Sequence, residues 1–449
     1  MKVIPQLVLI VISSFVRTSS GNYSSDDHHG YGESVLSGGE LSGPGAIRKQ
    51  RSSGFERDFV MSSIESANYP AELHIVTTRD GYILKVHRIP DPALQNENEE
   101  DEDKDGPGDE NAPNLVAAAD FRGVVLLMHG LFSTAADFIV TGPENGLAFI
   151  LADAGYDVWL ANARGTRFSR KNLNVGPKTA AFWDFSWHEI GTIDLPAIID
   201  YILRQTGHQK LFYIGHNQGV TAVLALLADK PKYNRKIHTI AGMAPLAFLG
   251  NGVESGIAQN LVKFNDQLWV TLNSLNIYEL TPSEKISKFL GGFLCSEDAP
   301  TSEMCSNVLT ELFGYSAEQA KLLLPGVLDV MLTGISTKQL VHYGQLLQSK
   351  KFQQFDYKNY LTNMQRYRQV KPPEYNLSKI SVPFTLFYGT KDFLTSPMDF
   401  QKLTKELPSC RTRYELPNWN HMDFIYNAQV YLKVYSKILQ TMQNVSTGM

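Results

Sequence analysis

Apolar positions fall into short runs whose spacing changes along the chain. Leu73-His-Ile-Val-Thr-Thr78 and Tyr82-Ile-Leu-Lys-Val-His-Arg-Ile89 alternate on either side of Asp80-Gly81, a strong short hairpin signal. A continuous apolar run at Gly123–Met128 and mainly apolar runs at Tyr156–Leu160, Leu211–Ile214, Ile237–Met243 and Pro383–Gly389 follow, which suit strands covered on both faces. A further strand is predicted at Arg413–Leu416. Helical spacing appears over residues 145–155, Glu189–Thr206 despite Pro196, Val220–Ala228, Met398–Leu407 and Gln429–Met442. Strand and helix alternate, which predicts an α/β fold: a mostly parallel sheet with helices on both faces. From Leu246 to Lys371 the alternation stops, with helical runs at Ala317–Leu324 and Val327–Leu332. The core is therefore expected over 56–245 and 373–449, with a helical cap over 246–372 inserted between two strands of one sheet.

Composition changes the picture mainly at the ends. The 449 residues are 43% hydrophobic and 11% aromatic, enough for a large core, and the net charge of −5 offers no basic footprint for nucleic acid. Lys2, the apolar run Val3–Ile12 and small polar residues up to Gly21 read as a signal peptide over 1–20 rather than a membrane anchor, which needs ~20 apolar residues; a buried N-terminal strand is the alternative. Residues 21–55 read as a flexible leader, and the acidic block inside 96–114 as a disordered solvated insertion. A secreted protein without a transmembrane segment is expected, with a lysosomal destination as the alternative. In an oxidising compartment Cys295 and Cys305 could close a small loop, leaving Cys410 free; no Cys and His spacing suggests zinc, and no metal or cofactor is expected. Asn22, Asn376 and Asn444 fit the glycosylation acceptor pattern.

The chemistry centres on Lys210-Leu-Phe-Tyr-Ile-Gly-His-Asn-Gln-Gly-Val220, an apolar run that meets a glycine-flanked turn opening into a helix. In the nucleophile elbow of α/β-hydrolases, Gly-x-Ser-x-Gly, small residues two before and two after the serine let strand and helix pass closely. Gly215 and Gly219 occupy those places, but the residue between them is Asn217. Such sheets carry nucleophile, acid and histidine in that chain order. Asp392 follows a predicted strand as the acid should, and His421 follows the last strand as the base should. Oxyanion donors are expected from the backbone N–H groups of Gln218 and Leu131, with Gly130 permitting close backbone approach. His129 and His216 read as satisfied structural histidines.

The chain resembles the acid lipase family, the gastric and lysosomal lipases and their insect relatives, through Tyr69-Pro, Asp80-Gly-Tyr-Ile-Leu, His129-Gly-Leu, Leu151–Leu160, Asn162-Ala-Arg-Gly165, Phe182–Glu189, Gly215–Gly219 and Asn420-His-Met-Asp-Phe-Ile. That resemblance implies an α/β-hydrolase core, a cap and lid over a deep acyl site, hydrolysis of triacylglycerols or steryl esters, and a cap disulfide that Cys295 and Cys305 fit. The family pattern has serine where this chain has Asn217. A carboxamide has no hydroxyl to deprotonate, so the acyl-enzyme route is closed. Three readings stand: a lipid- or partner-binding pseudoenzyme; residual hydrolysis through a water activated by His421 and Asp392 or through deamidation of Asn217 to a nucleophilic aspartate; and an ordinary lipase with a sequence difference of trivial origin.

Overall fold

The computed structural model describes residues 58–91, 122–251, 256–280 and 333–446. The signal peptide, the leader up to residue 57, the acidic insertion, the runs 317–324 and 327–332, Cys295, Cys305 and Asn22 lie outside the described residues.

After helix α1 (Phe59–Ser66), strands β1 (Glu72–Thr77) and β2 (Tyr82–Ile89) form the expected antiparallel hairpin, Gly81 turning it at φ 90°. The chain continues through β3 (Val124–Met128), α2 (Leu147–Asp153), β4 (Asp157–Ala161), β5 (Lys171–Asn172), α3 (Leu195–Thr206), β6 (Leu211–His216), α4 (Gln218–Asp229) and β7 (Ile237–Met243). An insertion then contributes α5 (Gly256–Ser274), a two-stranded pair of β8 (Glu279–Leu280) with β9 (Ile335–Ser336), α6 (Thr337–Ser349) and α7 (Tyr360–Tyr367). Strand β10 (Phe384–Gly389), α8 (Pro397–Glu406), β11 (Cys410–Leu416) and α9 (Ser436–Ser446) close the fold.

The sheet runs β1-β2-β4-β3-β6-β7-β10-β11, with β5 pairing β2. From β4 to β11 every neighbouring pair is parallel. Strand period two divides the core: Val124, Leu126 and Met128 pack on the face covered by α3 and α4, whereas Val125 and Leu127 pack on the face covered by α2 and α9. Burial on both faces, complete along β3, β4, β6 and β10, explains why these strands read as mainly apolar runs. The insertion leaves and re-enters between adjacent strands β7 and β10 of the main sheet, and its own strands β8 and β9 pair only with each other.

Two of the expected helices form with a π segment in them. Residues Ile190–Asp194 form a π turn ahead of α3, and Tyr431–Tyr435 form another ahead of α9. In the first case Pro196 lies in the opening turn of α3, where its missing N–H costs least. Gly191 sits so close to α4 that an added Cβ would lie 2.4 Å from the Ala222 carbonyl oxygen.

Arg164, in the loop after β4, ties three segments together. Its guanidinium donates to Asp194 at 2.6 and 2.9 Å and to Asp80 at 2.6 Å, and it lies 4.0 Å from the centre of the Tyr82 ring. The side chain is 1% exposed, and the two carboxylates hold it protonated. Arg164→Met would strand the fully buried Asp194 and is expected to cost about 3–5 kcal/mol, read as a lower urea midpoint; an unchanged midpoint refutes this role.

Candidate active site

Gly215 and Gly219 allow β6 to turn directly into α4. A Cβ on Gly219 would lie 2.3 Å from the Met128 carbonyl oxygen, and one on Gly215 would lie 2.9 Å from the Gly219 carbonyl carbon. No larger residue fits either place without moving backbone. The turn gives Asn217 φ 51° and ψ −114°, and its N–H donates to Met243 O at 2.9 Å. The positive φ suits the sharp, strained strand-to-helix turn of a nucleophile elbow. The ψ does not belong to the left-handed helical region where asparagine is tolerated best; it matches the first central position of a type II′ turn, a glycine preference. Asparagine therefore holds this backbone against a cost of about 1–3 kcal/mol.

Three side chains far apart in sequence converge here. Asp392, in the loop after β10, accepts from Leu394 N and Thr395 N at 2.9 and 3.2 Å through Oδ1 and presents Oδ2 to His421 Nδ1 at 2.8 Å. A carboxylate only accepts, so Nδ1 carries the proton and Nε2 is left as an acceptor. Asn217 Nδ2 donates to that Nε2. All three residues are buried, Asn217 retaining 6% exposure.

The other end of the carboxamide faces the backbone donors. Leu131 N donates to Asn217 Oδ1 at 3.1 Å, and Gln218 N donates to the same atom. Two donors meeting one atom identify it as oxygen, which fixes the amide orientation. Residues 131 and 218, expected to hold an oxyanion, thus both donate to Asn217 itself. Gly130 does allow close approach: its Cβ would sit 3.0 Å from Asn217 Cβ.

His129 behaves as a structural histidine, donating from Nδ1 to Gly130 O at 2.7 Å and accepting from Ala163 N at 3.1 Å through Nε2; burial pulls it down to about 4. His216 does more than fill space. Its Nε2 donates to the His421 carbonyl at 3.2 Å, anchoring the loop that carries the imidazole, and burial pulls it down to about 3. Sequence reasoning also missed Gln339, whose Nε2 donates to Gln218 Oε1 at 3.0 Å and fastens the insertion to the elbow. The sequence signals only the helix start, since Ser336-Thr-Lys-Gln339 is a capping-box pattern and both halves of the box form at the start of α6, and not the contact with Gln218. On the other side Thr333 N donates to Phe132 O at 3.1 Å, next to Leu131.

The remaining expected sites lie elsewhere. Asn376 is exposed at the start of a single turn, its Oδ1 accepting from Ser378 N at 3.0 Å, and Asn444 is exposed on α9. Cys410 is half-buried and free. Among the described residues no group of His, Cys, Asp or Glu could hold a metal ion, and no helix is long and apolar enough to cross a membrane.

A family model for the alpha/beta hydrolase fold matches residues 123–428, and one for the partial alpha/beta-hydrolase lipase region matches residues 60–142. Lipase 3 of Drosophila melanogaster is 36% identical over 384 residues, covering 85% of this chain and 92% of that protein. The chain belongs to the lipase family of α/β-hydrolases. Gastric triacylglycerol lipase of Homo sapiens is 35% identical over 383 residues, covering 83% of this lipase-family chain and 87% of that enzyme. Among solved structures, a monoglyceride lipase from Saccharomyces cerevisiae aligns with a TM-score of 0.48 at 16% identity, covering 84% of this chain and 98% of that one.

Asp137 links the two loops that build the site. It lies in the 3-10 turn Ala135–Phe138 that follows the Leu131 loop, and Tyr426 OH, beyond His421, donates to it at 3.2 Å. Burial pushes its carboxyl up to about 7 from an ordinary 3.8. With the folded value above the unfolded one, this group's contribution is fully present below about pH 4 and is lost as pH rises toward 7. The stability of wild type relative to Asp137→Asn should fall across that window by up to about 4 kcal/mol. Urea midpoints of the two proteins from pH 4 to 8 check this; parallel curves exclude it.

Proposed function

We propose that this protein is a secreted member of the lipase family that binds acyl esters, of the triacylglycerol or steryl ester class, without cleaving them through an acyl-enzyme. One observation carries the reading. The Asn217 carboxamide engages both expected oxyanion donors and the imidazole nitrogen that would take a nucleophile's proton. An ester carbonyl entering the site meets an occupied donor pair, and no hydroxyl is present at position 217 to attack it. The water-activated route is disfavoured for the same reason, because His421 Nε2 already accepts from Asn217. The family relatives support the ligand class, the apolar segment Val3–Ile12 supports export, and exposed Asn376 is the best-placed glycan acceptor.

The decisive comparison is wild type with Asn217→Ser on short- and long-chain acyl esters. Loss of the nucleophile from a working triad costs roughly a million-fold in turnover, so wild type should be silent on the scale of the variant. The serine hydroxyl would face a His421–Asp392 pair already in place, and turnover should appear. Both proteins should take up a fluorescent fatty acyl ester. Wild-type hydrolysis above a His421→Ala control, or a serine variant that folds, binds and stays inert, ends the proposal.

A further inference from the structure

We propose that an open cleft between the core and the insertion is a second binding site, distinct from residue 217, and that it takes a pyranose ring. The cleft has a volume of about 430 Å³, within the range of those that hold small ligands. The core contributes His188 and Glu189, from the single helical turn Trp187–Glu189, and the insertion contributes Gln354, Tyr357, Arg366 and Tyr367. Helix α6 stands between this cleft and the elbow. Its neighbours Lys338 and Gln339 point about 100° apart around the helix. Lys338 Nζ donates to Asp184 at 2.7 Å and to Tyr357 OH at 3.1 Å, whereas Gln339 reaches Gln218.

The charges at the cleft already have counter-charges, which favours a neutral ligand. Burial pushes the Glu189 carboxyl up, but the Lys338 ammonium above all and the Ser186 N–H outweigh it and hold the group at about 2. Lys338 also pairs with Asp184, and Arg366 lies 3.8 Å from that same carboxylate. At that distance Arg366 is neutralised without forming a hydrogen bond, so its N–H groups stay open. A ligand of either sign would add an unmatched charge.

The open hydrogen-bonding groups are of both kinds. Glu189 Oε2 accepts from Ser186 N at 2.7 Å and from Ser186 Oγ at 3.2 Å, which leaves Oε1 as an acceptor without a donor among the described residues. Tyr375 is buried and its hydroxyl meets His188 Nδ1 at 2.6 Å. Donating there places the proton of the neutral imidazole on Nε2, a donor. Tyr357 accepts from Lys338, so its own O–H is free to donate, and the Gln354 carboxamide, both donor and acceptor, has no partner among the described residues. Tyr367 donates to Phe355 O at 2.7 Å and offers the cleft its ring. Adjacent hydroxyls, each a donor and an acceptor, answer such a set, and a pyranose has enough of them to engage five side chains where glycerol does not.

The test is saturation-transfer NMR on the full-length protein with the methyl α-pyranosides of glucose, mannose and galactose, with glycerol and glycine as comparators. At least one glycoside should bind with a dissociation constant on the order of 1 mM. Gln354→Leu should weaken it roughly tenfold and Glu189→Gln roughly 10- to 100-fold, the second because an amide N–H replaces the open carboxylate oxygen while the other end still caps the turn. Each variant is first checked for a native melting transition. A trisaccharide ending in the preferred ring separates the two sources of the ligand: equal binding assigns the end of a glycan, and exclusion assigns a free monosaccharide, the ring being bound in both cases. Absence of glycoside binding, undiminished binding in both folded variants, or glycerol or glycine binding as tightly as the glycosides overturns the proposal. None of these results bears on the acyl-ester reading, which rests on residue 217.

Discussion

The approach of α4 to the end of β3 sets the rest of the site. At Gly219 the helix comes so near Met128 O that an added Cβ would lie 2.3 Å from it. Strand β3 runs on into the loop that carries Leu131, so the same contact that seats the helix places residue 217 under the Leu131 N–H. The parallel register of β3 with β6, Met128 opposite Gly215, keeps that relation fixed along the sheet. Everything chemical at position 217 follows from this backbone arrangement, and none of it requires serine.

With serine at 217, the two backbone donors and the imidazole would be left to a substrate. Asparagine is one carbonyl longer, and that extra reach lets one side chain satisfy both ends. The oxygen takes the donors and the amide nitrogen takes the imidazole, which leaves few polar atoms of the buried group without a partner. Retention of Asp392 and His421 is then intelligible without turnover, because removing either would leave a buried partner unsatisfied.

Much of this was legible in the sequence because it rests on local pattern. Alternation about Asp80-Gly81, mainly apolar runs at β3, β4 and β10, and glycines two residues either side of 217 each report a backbone requirement that few sequences meet by chance. The positions of Asp392 and His421 were readable because chain order on a parallel sheet is constrained. The π turn at Ile190–Asp194 was not, since Gly191 within it packs against the Ala222 carbonyl of α4, which the helical spacing around it does not report. Nor could spacing announce that Arg164 joins Asp80 to Asp194, or that Gln339 reaches Gln218, since both pairings connect segments brought together only by the completed fold. The type II′-like ψ of Asn217 was equally invisible: residue type reports tolerance of positive φ, while ψ is dictated by how the strand must bend.

The hydrogen bond from Thr333 N to Phe132 O has a mechanical meaning. Phe132 follows Leu131, and Thr333 lies two residues before the short strand β9 that leads into α6. With Gln339 holding Gln218 a few residues later, the returning limb of the insertion grips each donor's own neighbourhood, one through the main chain and one through a side chain. The spacing of the Leu131 and Gln218 N–H groups, which meet at Asn217 Oδ1, is thus a shared property of the sheet and the insertion. A displacement of that limb would change the spacing between the two N–H groups as a caliper changes its gap, without Asn217, Asp392 or His421 moving first.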